Sequence, residues 1–183
     1  MADEPAVDVP RLGAVFQRAG LRHALIGGQA VNVWITPRET DDFDFVVAPD
    51  REAIEAVEAE LLALGLRHVR RQDGHGPSGP DFVQLKNIAM NLAVDIQVAK
   101  TEYQSILIDR AVSGEVSGLS VATPEDLIVL KLLAMRSQDQ RDIALLVDLR
   151  GDTLDWAYIE HWAEVWDVVK ELRIFRPKAA EVE

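Results

Sequence analysis

The sequence predicts an α+β chain: a mixed β-sheet with helices packed on it, followed by C-terminal helices. Three observations predict this. Short apolar or alternating runs bounded by Gly, Asp and Pro recur between residues 23 and 98, and amphipathic runs at helical spacing lie among them. Beyond residue 123 the remaining runs all have the helical period.

Taken in order, Asp8 and Pro10 start a short helix that runs to about Ala19, and Gly20 ends it. "HALIGG" reads as a strand running into glycines, and "QAVNVWI" as a helix that begins directly after them. "DDFDFVVA" alternates polar and apolar residues, as a strand with one buried face does. Asp50 precedes an amphipathic helix in which Ile54, Val57, Leu61 and Leu64 share a face, and Gly65 closes it. Three strands follow, "LRHVRRQ", "DFVQLKN" and "NLAVDIQVA", with a mobile loop "DGHGPSGP" expected between the first two. Thr101 and Gln104 make a capping box for a helix to about Val112, and "GLSVA" is a short strand. Thr123-Pro124-Glu125-Asp126 is a helix start built from a hydroxyl cap, an N1 proline and first-turn acids. The helices "LIVLKLLAMR", "DQRDIALLVDLR" and "LDWAYIEHWAEVW" complete the chain. The expected division is a core over 1–122, a helical part over 123–175 packed on it, and a disordered tail over 176–183.

At 183 residues the chain suits one domain with a helical appendage, and 48% hydrophobic with 27% charged residues excludes a largely disordered protein. No apolar run is long enough to span a bilayer, and "MADEPAVDVPRLG" lacks the basic-then-apolar order of a secretory signal, so the expected location is the cytoplasm. Without cysteine there are no thiolate sites, and a metal would need oxygen or imidazole ligands. His23, His68, His75 and His161 show no ligand spacing, which argues against zinc. A net charge of −12 opposes wrapping a long nucleic acid. A local patch of Arg67, Arg70 and Arg71 with His68 and His75 reads either as a binding patch or as a solvated edge strand with its loop.

Residues two apart on a strand share a face, so Asp42 and Asp44 present their carboxylates together while Phe43 and Phe45 face the core. Asp41 points the other way and reads as a strand-entry polar residue. Asp95 stands alone among Val94 and Ile96, either as an edge acid in water or as part of a site. If its strand lies beside "DDFDFVV", the three acids converge into an oxygen cage suited to Mg²⁺, or to Mn²⁺. Gly27-Gly28 reads as a tight strand-to-helix turn, or as a place where bare N–H groups at a helix N-terminus bind the phosphates of an NTP, ATP among the candidates. Arg38 is a loop arginine in water or a phosphate contact. Lys131 leaves an apolar surface formed by Leu127, Ile128, Ala134 and Met135, and either snorkels to solvent or reaches an anion. Asp139 and Asp142 read as a cap and a solvated face. Trp156, Ile159, Trp162 and Trp166 on the last helix read as core, with a partner surface as the alternative.

The combination of strand, Gly-Gly, helix, Asp-x-Asp strand and third strand acid resembles the nucleotidyltransferase superfamily built on the polymerase-beta fold. Ile26-Gly27-Gly28 and Asp42-Phe43-Asp44-Phe45 match its motif. "GGQAVNVWITPRETDDFDFVV" is most similar to the small bacterial members related to minimal nucleotidyltransferases and the AbiE-type (AbiEii) toxins. Arg38, Thr40, Asp42 and Asp44 match their Arg-x-Thr-x-Asp-hydrophobic-Asp segment, and the likeness spans about residues 21 to 148. The resemblance implies that Asp42 and Asp44 hold metal, and that Asp95 completes the site and helps deprotonate the acceptor hydroxyl. It places Gly27, Gly28, Arg38, Thr40 and Lys131 at the nucleotide. Many members carry serine where Gly28 stands, which puts more of the phosphate binding on the backbone here. The function it implies is Mg²⁺-dependent transfer of an NMP from an NTP to an acceptor: a protein, a tRNA or a small molecule. A toxin role with an antitoxin partner accompanies it. The alternative is a non-catalytic nucleotide-binding or interaction module that keeps the fold.

Overall fold

The structure is a computed structural model that describes residues 9–73, 79–113 and 118–176, and these contain seven strands and eight helices. Residues 74–78 of the expected mobile loop, His75 among them, and residues 177–183 of the expected tail lie outside the described residues. The chain divides into two compact units, one of residues 1–30 and 38–122, the other of residues 31–37 and 123–183.

The strands of the first unit are β1 (His23–Ile26), β2 (Asp42–Val47), β3 (Arg67–Asp73), β4 (Pro80–Asn87), β5 (Leu92–Val98), β6 (Val112–Ser113) and β7 (Ser120–Val121). They form one mixed sheet in the order β3-β4-β5-β2-β1-β7-β6. The β2–β5 and β1–β7 pairs are parallel and the others antiparallel. β2 therefore sits inside the sheet, with Phe45 fully buried and Phe43 nearly so, while Asp42 is exposed.

The helices of this unit are α1 (Val9–Ala19), the N-terminal turn of α2 (Gly27–Trp34), α3 (Arg51–Ala63) and α4 (Glu102–Arg110). Their starts follow cap chemistry: Asp50 accepts from Ala53 N–H at 3.1 Å, and Thr101 with Gln104 closes a reciprocal capping box. α1 brings Phe16 onto Phe45, with ring centroids 4.5 Å apart. Ile54, Val57 and Leu61 of α3 are fully buried. β6 carries no sequence signal because two residues cannot show a period.

His23 is buried and braces two strands. Its Nε2 accepts from Ser120 N–H at 3.1 Å, so the ring hydrogen sits on Nδ1 and donates to Leu21 O at 2.8 Å. Burial holds its pKa below the ordinary histidine value, with the Leu21 bond opposing more weakly. The unfolded chain thus binds a proton that the folded chain refuses, and His23 costs stability as pH falls below about 6.5. Thermal melting between neutral and mildly acidic pH should show a shallower loss in His23→Gln than in wild type. Equal slopes would remove this role.

The second unit contains the rest of α2 with α5 (Pro124–Ala134), α6 (Ser137–Arg150), α7 (Trp156–Val165) and α8 (Val169–Phe175). Thr123 caps α5 as expected. α8 is a departure from the sequence reading: α7 ends at Val165, Trp166 is its C-cap, and Asp167 at φ 56° turns the chain into a further helix. Ile159 and Trp162 are core, whereas Trp156 lies under the Arg176 guanidinium, 4.1 Å from its ring centroid. Within α5, Asp126 is fully buried and accepts from Tyr158 Oη at 2.6 Å and Thr123 Oγ1 at 2.7 Å. No helix of the described residues is long and apolar enough to cross a membrane.

Candidate active site

The first unit brings the glycines and the acids together. Ile26 pairs with Asp44 across β1–β2, so the chain enters Gly27 beside that carboxylate. A Cβ on Gly27 would stand 2.1 Å from Asp44 Oδ2, and its φ of +69° is one that side chains rarely adopt. Only glycine fits on both counts.

Gly28 is enclosed by the loop before β2. A Cβ there would lie 2.8 Å from Thr40 Oγ1 and 3.1 Å from Arg38 Nη2. Gln29 Nε2 also donates to Thr40 O at 2.7 Å. The segment Arg38–Thr40 is thus more than a connection between glycines and acids, because it folds over the start of α2. A guanidinium, a hydroxyl and a helix N-terminus converge on one point, and together they have the chemistry to bind an anion.

Asp44 and Asp95 are register partners in the parallel β2–β5 pair, and Asp42 stands opposite Ala93. Gln84 of β4 faces Asp95 and donates to its Oδ2 at 3.0 Å, whereas Oδ1 is buried and has no hydrogen-bond partner. Burial raises the Asp95 pKa. The Gln84 bond and the Lys86 charge oppose this, and the Asp42 charge adds to it. The acids are therefore neighbours on one face. The described residues nevertheless contain no group of three His, Cys, Asp or Glu set to hold a metal ion, so the expected three-acid cage is not preformed. Asp41 is exposed and lies outside β2.

Sequence reasoning missed Gln84 and Gln29. Gln84 had a signal: in "DFVQLKN" it breaks an apolar stretch as Asp95 breaks its own, and alternation puts it on the face away from Val83 and Leu85.

Lys131 and its surroundings belong to the second unit and correct two expectations. The ammonium does not snorkel: the residue is 6% exposed, and Nζ pairs with Asp142 at 2.7 Å and Asp139 at 3.2 Å. Asp139 and Asp142 are not a solvated face, being 2% and 0% exposed. Asp139 does serve as a cap, accepting from Arg136 N–H at 3.1 Å. Burial alone would raise its pKa, but the hydrogen bonds and charges of Arg136 and Lys131 outweigh that and hold it below the usual carboxylate range. Any triphosphate contact by Lys131 would share the ammonium with these two acids.

Among solved structures, the antibiotic-resistance factor ANT(2'')-Ia in solution is similar at 13% identity and TM-score 0.59, over 89% of this chain and 91% of that one. Its crystal structure with adenylyl-2''-tobramycin matches at 15% identity and TM-score 0.58, over 85% and 94%. The Megavirus polyadenylate synthase matches at 13% identity and TM-score 0.52, over 77% of this chain and 30% of that one. At such identities the likeness is one of fold, and the fold is that of the nucleotidyltransferases. Comparison with curated proteins gives no match. The family described as "Nucleotidyl transferase AbiEii toxin, Type IV TA system" matches residues 12–167, and the chain belongs to that family.

Proposed function

We propose that this nucleotidyltransferase moves a nucleoside monophosphate from an NTP to an acceptor hydroxyl, as the toxin of a toxin–antitoxin pair. The observation that carries the reading is the contact of Gly27 with Asp44: it joins a phosphate-binding turn to a row of carboxylates. Backbone N–H groups at Gly27 and Gly28, with Arg38 and Thr40, bind the phosphates. Lys131 is assigned to the nucleotide on family likeness alone.

Asp42 and Asp44 are hard oxygen ligands on one strand face, and Asp95 Oδ1 is a buried oxygen that lacks a partner. That donor set suits Mg²⁺ or Mn²⁺, which is commonly held by one or two carboxylates together with substrate phosphates. Bound there, the ion would neutralise charge developing on the phosphates. The acceptor oxygen bonds to the α-phosphorus as the bond to the bridging oxygen breaks, and pyrophosphate leaves. The acceptor proton passes to Asp95, which stands beside Asp44 in the β2–β5 register.

Calorimetry with the four NTPs and Mg²⁺ tests the site. Metal-dependent binding is expected in wild type and its loss in Asp44→Ala; no binding in either, or equal binding in both, would sink the reading. Labelled NTP incubated with cell extract then finds the acceptor, since label should reach it with wild type and not with Asp42→Ala/Asp44→Ala.

A further inference from the structure

Gln84 of β4 meets the acid row. Strand alternation puts it on the face away from Val83 and Leu85, both fully buried, and the register sets it opposite Asp95, which is itself opposite Asp44. The three side chains thus stand in one row across β2, β5 and β4. Of the two Asp95 oxygens, Oδ2 accepts from Gln84 Nε2 at 3.0 Å, and Oδ1 is buried without a hydrogen-bond partner. A buried carboxylate oxygen in that condition is unfavourable unless a cation or a proton meets it.

The bond is not needed to align the strands. β4 and β5 are paired over six consecutive positions, from Phe82 opposite Gln97 to Asn87 opposite Leu92, so the backbone ladder already fixes them. What the bond fixes is the Asp95 carboxylate, whose last side-chain torsion is otherwise loosely held. The residue type fits that task. An amide donates a hydrogen without carrying charge, so it holds the carboxylate and leaves its negative charge for a cation. A glutamate in this place would repel Asp95, and a lysine would neutralise it. The one cation of β4, Lys86, stands opposite Ala93 instead.

We infer that Gln84 is a positioning residue of the metal site: by holding Oδ2 it fixes Oδ1 as the oxygen that Asp95 offers to a divalent cation. The inference rests on the site proposed above. Gln84 touches neither ion nor nucleotide and acts through Asp95, as the outer partners of metal-ligating carboxylates do. With Oδ2 engaged, Asp95 supplies one oxygen rather than a chelating pair. The remaining positions round the ion fall to Asp42, Asp44 and the oxygens of substrate and water.

The full chain, without nucleotide, is titrated with Mn²⁺, and the free ion is read by electron paramagnetic resonance. Gln84→Met keeps the length of the side chain and removes its donor. It should weaken Mn²⁺ binding by about ten- to a hundredfold, the loss typical when a ligand's supporting partner is removed. The rise in melting temperature that Mn²⁺ gives to wild type should shrink in the same variant. A role confined to structure would lower the melting temperature with and without the ion alike, leaving the rise and the Mn²⁺ affinity as in wild type, and that result overturns the assignment. Asp95→Asn should also weaken binding, and adding Gln84→Met to it should weaken it no further, because the two residues act as one unit. A second loss of the same size in the double variant would show Gln84 acting without Asp95, which equally overturns its positioning role. A wild type that binds no Mn²⁺ overturns the metal site and Gln84 with it, whereas wild-type binding that Gln84→Met leaves unaltered overturns Gln84 alone.

Discussion

Replacing Gly27 by alanine is expected to lower nucleotidyl transfer by about a hundredfold, the loss that follows when a reacting group is displaced by about an ångström. The added Cβ cannot share space with Asp44 Oδ2, which is only 2.1 Å away, so the carboxylate or the turn must move. Gly20→Ala is the control. Gly20 has a similar φ of +63°, but nothing lies within 4 Å of its Cβ position. Both variants should lose roughly 1–2 kcal/mol of stability from the left-handed backbone. Only Gly27→Ala should lose turnover and NTP affinity. If the two variants lose activity alike, the contact between turn and acid has no catalytic meaning.

Lys131→Met is expected to destabilise the second unit by roughly 3 kcal/mol or more, because it removes the ammonium shared by two buried carboxylates. Asp142→Leu should cost a comparable amount for the converse reason. The double variant Lys131→Met/Asp142→Leu should recover part of the loss, since it replaces a buried pair by apolar groups. Chemical denaturation of all three measures this, and simple additivity would show that the pair is not coupled. The double variant also separates structure from binding. If it folds and keeps wild-type NTP affinity, Lys131 has no place at the triphosphate.

These outcomes turn on contacts that differ in how far they could be read from the chain. The Asp42/Asp44 face was legible because alternation is local, and one strand decides which residues share a side. The caps at Asp50, Thr101 and Thr123 were legible for the same reason, since each depends on a residue three positions away. The burial of Asp139 and Asp142 was not. Their helix looks polar in sequence, and burial of the two acids is made tolerable by the ammonium that α5 presents to α6, together with Arg136 on Asp139 and the Gln138 amide on Asp142. α8 escaped because it is short and has a single fully enclosed apolar residue, Leu172. Within the site, the pairing of Gln84 with Asp95 needed the β4–β5 register, and the closure of Arg38 and Thr40 over Gly28 needed a loop conformation.

The placement of β2 has a consequence for errors in folding. Its six residues carry two opposed demands: Phe43 and Phe45 must be inside, and Asp42 and Asp44 must be on the face shared with Asp95. A slip of one residue against β5 would exchange the two sets. It would expose both phenylalanines, at roughly 2 kcal/mol or more each, and bury two carboxylates without partners. A misthreaded chain would therefore be too unstable to persist. Correct packing of β2 and a correctly aimed acid row are thus one event, and a well-packed sheet with its acids misdirected is not a state this chain can keep.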